Sequence, residues 1–94
     1  MDKTMLDILK ERLVEGLSIK SVKETNTKYT IRFEFEGDEA KADLPKSCAP
    51  GCHNEVADAT IITAMSTIYC NRGDYVQAKQ WLDKLNNKKR RVSQ

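Results

Sequence analysis

From Tyr29 to Glu36 this 94-residue chain alternates apolar and polar side chains without a break: Tyr29, Ile31, Phe33 and Phe35 against Thr30, Arg32, Glu34 and Glu36. Successive side chains of a strand point to opposite faces, so strict period two predicts a β-strand with one buried and one wetted face. A second run of the same kind follows Gly37-Asp38, with Ala40, Ala42 and Leu44 set against Lys41 and Asp43, and Pro45 ends it. Before both lies "LSIKSV", where Leu17 and Ile19 share a face but Val22 falls out of step, the mark of a bulge or an early strand end. "ETNT" and "EGDE" supply the turns. The prediction is a three-stranded antiparallel meander with one apolar face, which the rest of the chain must cover.

The cover is helical on both sides. "TMLDILKERLVEG" places Met5, Leu6, Leu9 and Leu13 on one face, with Thr4 and Asp7 at capping-box spacing and Gly16 as the expected terminator. From Asn54, with it or a nearby residue as the expected cap, Ala57, Ile61, Ile62, Ala64, Met65, Ile68 and Tyr69 form a broad apolar arc of a helix about five turns long that Gly73 stops. Asp58 interrupts that arc, and we expect the helix N-terminus or a sheet Lys or Arg to hold it. In "GDYVQAKQWLDKLNNKKRR" Asp74 and Gln77 repeat the capping spacing, and Tyr75, Ala78, Leu82 and Leu85 form a stripe with Trp81 beside it. The turn "YCNRGDYVQA" resembles the inter-helix turn of a tetratricopeptide repeat, once and with no period behind it, which implies an antiparallel helix hairpin. The expected fold is α+β: an N-terminal helix, a three-stranded antiparallel β-meander and a C-terminal helical hairpin. Residues 1–87 read as one domain and 88–94 as a basic tail.

Charge narrows the function. The net +2 comes from Lys88, Lys89, Arg90 and Arg91; without those four, 12 basic residues face 14 acidic ones. A nucleic-acid reader needs cations spread over a face, one for each phosphate contact. The tail reads as a solvated helix end, favoured by the helix dipole, with nucleic-acid binding through it as the alternative. The order helix, three strands, helix is also that of double-stranded RNA-binding domains. Their basic cluster at the start of the helix after the sheet is replaced here by "CHNEVADA". No apolar run reaches the roughly 20 residues of a membrane span, and the charged N-terminus with three cysteines fits a reducing cytoplasm, so no membrane partner is expected.

Chemistry could reside only in "SCAPGCHNE", which holds Cys48, Cys52 and the single histidine, His53. A zinc site there lacks a fourth ligand, because a continuous helix would put Cys70 about 27 Å along the axis from Cys52. A metal could still be shared between two chains, or completed by a carboxylate such as Asp58. Cys52 at a helix start would be a more available thiolate, but His53, its immediate neighbour, diverges from it and makes a poor base. The plainer reading is a loop that turns the chain into the helix, with no cofactor and no enzymatic activity. No triad or phosphate-binding glycine loop is present either.

The sheet, by contrast, suggests a binding function. Three strands at about 4.8 Å span about 14 Å, and two helices about 10 Å apart already cover them. The third helix is then free to present Tyr75, Trp81, Leu82 and Leu85 to another protein or a second copy of the chain, and Trp and Tyr are frequent interface anchors. The expectation is a non-catalytic module that occupies or bridges a partner's surface. Small phage-encoded inhibitors of host enzymes offer an analogy of element order alone.

Overall fold

The computed structural model describes residues 4–47 and 51–93, the side chains of 85–93 excepted. Six elements follow in order: α1 (Met5–Glu11), β1 (Leu17–Glu24), β2 (Lys28–Phe35), β3 (Asp38–Pro45), α2 (His53–Asn71) and α3 (Tyr75–Ser93). The strands form one antiparallel sheet in the order β1-β2-β3. This is the α+β meander with a C-terminal helix pair that the periodicities predict.

Register explains the misplaced Val22. Ile19 pairs with Phe33, then the ladder slips and Val22 pairs with Ile31. Both partners lie on the buried face of β2, so the extra residue returns Val22 to the apolar side. Between β2 and β3 only Glu36 and Gly37 intervene, both at positive φ. Such two-residue turns match the twist of a hairpin.

The first helix is shorter than its sequence pattern. Thr4 Oγ1 accepts from Asp7 N at 3.1 Å, and Asp7 Oδ2 accepts from Thr4 N at 3.3 Å, so the capping box forms. The helix ends at Glu11 with Arg12 as its C-cap, so Leu13 and Val14 lie in the connection to β1. Gly16 is therefore not the terminator. It is the left-handed residue (φ 88°) that turns the chain into β1.

The core is continuous through Leu9, Ile31, Phe33, Leu44, Ala57, Ile61, Ala64, Met65 and Ile68. Small side chains at Ala40, Ala42, Ala57 and Ala64 let α2 settle closely on β3, which it approaches nearer than β2. Of the helices, α3 packs on α2 and makes its contacts there. Ile62 and Ser66 are buried although they lie roughly opposite Ala57 and Ile68 around the helix. The result is layered: sheet, then α2 flanked by α1, then α3 on the far side of α2.

Two arginines join the layers. Asp58, expected to be held by the helix N-terminus or a sheet cation, is bound by an arginine from the end of α1. Arg12 grips it with Nε to Oδ1 at 2.6 Å and Nη2 to Oδ2 at 2.7 Å, fastening the end of α1 to the first turns of α2. Arg72, the C-cap of α2, donates to Asp38, to Glu36 at 3.0 Å and to the Phe35 carbonyl at 3.2 Å. It also lies against the Phe35 and Tyr69 rings, closing the hairpin turn onto the helix.

Candidate functional site

The surface that stands out is the outward side of α3. Its start is fixed by Asp74, whose Oδ1 accepts from Gln77 N at 3.2 Å. From there Ala78 is buried against α2 and Trp81 is half-buried, three residues on and on the same side. Tyr75 and Leu82, seven residues apart, stand in a neighbouring column turned outward and are 68% and 44% exposed. Val76, about 100° further round the helix from Tyr75, is 69% exposed. The stripe expected from sequence is thus split: Ala78 faces α2, and Tyr75 and Leu82 face solvent. Leu85 continues the α3 backbone, but its side chain lies outside the described residues.

At the foot of α3 the Trp81 indole borders a groove of ≈ 230 Å³. Val14 and Ile62 contribute its apolar wall, and the Arg12–Asp58 pair and Lys84 form its polar rim. Lys84 Nζ sits 3.9 Å from the centre of the Trp81 ring, so a cation from its own helix lies over the indole, which is also packed against the core. The bonds Arg12 donates to Asp58 raise the arginine's pKa above an already high value, against a smaller opposing effect of burial. That cation stays charged at any ordinary pH, and the groove has a permanently polar lip beside an apolar floor.

The other sequence candidates are dispersed. The N-cap of α2 is not Asn54 but the nearby Cys52, which makes no side-chain capping bond, and His53 opens the helix beside it. Cys48 lies outside the described residues. Cys70 is exposed on the last turn of the unbroken helix, about 27 Å along its axis from Cys52. Among the described residues no three Cys, His, Asp or Glu side chains converge as metal ligands. Lys88, Lys89, Arg90 and Arg91 continue the backbone of α3, with side chains outside the described residues. Among the described residues no helix is long and apolar enough to cross a membrane.

Sequence reasoning missed Arg12, Arg72, Val76 and Lys84. Both arginines act on partners 34 to 46 residues away, which no local spacing reveals. Lys84, by contrast, stands three residues after Trp81, and that i,i+3 spacing was a readable signal. Comparison with protein-family models, curated proteins and solved structures found no match.

Proposed function

We propose that this protein is a non-catalytic binding module that occupies or bridges a partner protein's surface through the outer side of α3. One observation carries the reading: Tyr75 and Leu82 are exposed in one column of a helix whose buried side is already satisfied by α2, with Val76 exposed about 100° further round. Large apolar side chains grouped on one exposed face are the usual material of interface centres, and Tyr and Trp dominate such centres energetically. In this reading Tyr75 and Leu82 form the central contact, Val76 lies at its outer margin, and Trp81 with Lys84 forms its edge above the groove. The partner is another protein, and a second copy of the chain is the simplest alternative occupant.

The test replaces Tyr75, Val76 and Leu82 with serine together, since their exposure leaves folding intact. A protein captured from the native source by the wild type and lost with the triple variant supports the reading. A concentration-dependent dimer abolished by the same change would make the partner a second copy. Identical capture by both forms, or none by the wild type, overturns it. Trp81→Ala is expected to weaken the same association while far-ultraviolet circular dichroism remains native.

A further inference from the structure

The sheet has two edges, and they are built differently. On β1 the ladder slips between Ile19 and Ser21, and bulges twist an edge away from further pairing. On β3 the register runs unbroken from Asp38 to Pro45. The two-residue turn makes Phe35 and Asp38 a hydrogen-bonded pair, so alternation leaves the main-chain groups of Glu39, Lys41, Asp43 and Pro45 directed away from β2. Two of these positions are closed. The Asp43 carbonyl accepts from Thr60 Oγ1 at 3.4 Å, and Pro45 has no N–H. The open part of the edge is centred on Glu39 and Lys41.

An open groove of ≈ 430 Å³ runs beside that part, bounded by Arg32, Glu39, Ala40 and Lys41 of the sheet and by Thr67 and Asn71 of α2. The charges along it are unequal. Glu39 lies 3.4 Å from Lys20 and 3.6 Å from Arg32, and Lys28 holds Asp43 at 2.9 Å. Lys41 has no carboxylate within ion-pair distance among the described residues, although its field reaches Asp43. The residue of an added strand opposite Lys41 therefore faces a cation that has no close anion among the described residues.

We infer that the β3 edge is a second binding surface, which takes an extended segment of a partner protein as a fourth strand, with an acidic side chain opposite Lys41. Main-chain bonds to Glu39 and Lys41 supply the pairing, and the Lys41 contact sets the preference. A second copy offering its own β3 does not fit. Each α2 is seated on its β3, and pairing the two strands at about 4.8 Å would bring the helices well inside the roughly 8–10 Å that packed helices need. The occupant is a strand without a helix over it. This surface is independent of the α3 face, and either assignment can fail alone.

The probe is a synthetic capped pentapeptide, Thr-Val-Glu-Val-Thr, titrated to millimolar concentration against the isotope-labelled full chain. Expected are amide shifts confined to residues 38–43 and slowed exchange of the Glu39 and Lys41 amides. Expected too is at least fivefold weaker binding when the central Glu of the peptide is replaced by Lys. Lys41→Glu should reverse that preference, and a peptide N-methylated on its pairing edge should not bind. Absence of shifts, shifts elsewhere, or equal binding of acidic, basic and N-methylated peptides overturns the inference. So does movement of the same amides with protein concentration alone, which would assign the edge to self-association.

Discussion

Leu9→Ala tests whether α1 belongs to the cooperative fold or is a detachable cover. The helix has seven residues, too short to persist alone in water, where about 12–15 are needed for even marginal helicity. Its capping box and the Arg12–Asp58 pair are surface features, so its place depends on Met5 and Leu9, both buried in the core. Truncation removes three carbons, worth about 2.4 kcal/mol at about 0.8 kcal/mol per methylene, and leaves a cavity that adds to the loss. A short peripheral helix can settle inward, so we expect the lower part of the usual range, about 2.5–3.5 kcal/mol. A chain of this size has about 5–14 kcal/mol in total. With a urea slope of about 1–3 kcal/mol/M, the unfolding midpoint should fall by about 1–3 M. Far-ultraviolet circular dichroism and Trp81 fluorescence should move together, because Trp81 shares its groove with Arg12 and Val14 just beyond α1. A midpoint shift below about 0.3 M, or a loss of helix signal that leaves the tryptophan transition in place, would refute the cooperative role of α1.

Three further outcomes follow from particular contacts. Gly16→Ala meets both a left-handed backbone and the Phe35 ring, with its new Cβ 3.2 Å from Cε1, whereas Gly37→Ala meets only the backbone term. Both should lower the melting temperature, Gly37→Ala by the equivalent of about 1–2 kcal/mol and Gly16→Ala by more. The Asp43 carboxyl is held below its ordinary pKa chiefly by the bond from Lys28, so its stabilising contribution is present above the unfolded value of about 3.9 and is lost as pH falls through the folded one. The stability difference between wild type and Lys28→Ala should therefore shrink below about pH 4 in acid-denaturation curves, and the Asp43 carboxyl resonance of the variant should titrate at higher pH. Replacing Lys88, Lys89, Arg90 and Arg91 with glutamine should change stability by less than about 0.5 kcal/mol and leave protein capture intact. Salt-dependent binding to single-stranded DNA that vanishes with this change would instead assign function to the basic run.

How much of this was legible depends on how local its cause is. Period two between Tyr29 and Leu44 was enough to give two strands and their shared face, and the slip at Val22 announced the bulge that strict alternation would have hidden. Thr4 and Asp7 announced their own cap because the two partners lie three residues apart. The end of α1 was not readable: Leu13 and Val14 continue the apolar period, yet the chain leaves the helix at Arg12, whose guanidinium pairs with Asp58, 46 residues on. The same distance hid the partner of Asp58 and the clamp made by Arg72.

The α3 face was half legible for a different reason. An apolar stripe tells that a helix is covered on one side, but its orientation depends on what the neighbour offers. Here α2 is buried on two sides, under the sheet at Ala57, Ala64 and Ile68 and under α3 at Ile62 and Ser66. On that far side α3 seats by its own smallest apolar residue, Ala78, with Trp81 alongside. That choice rotates Tyr75 and Leu82 outward and leaves Val76, which belonged to no stripe, exposed about 100° further round the helix. Helical cover beyond what the sheet requires therefore becomes an exposed face only because α2 has room for one column of α3. A larger side chain at position 78 would tilt α3 away and redistribute exposure among Tyr75, Val76 and Leu82, so the geometry of the proposed contact is set at Ala78, which never touches a partner.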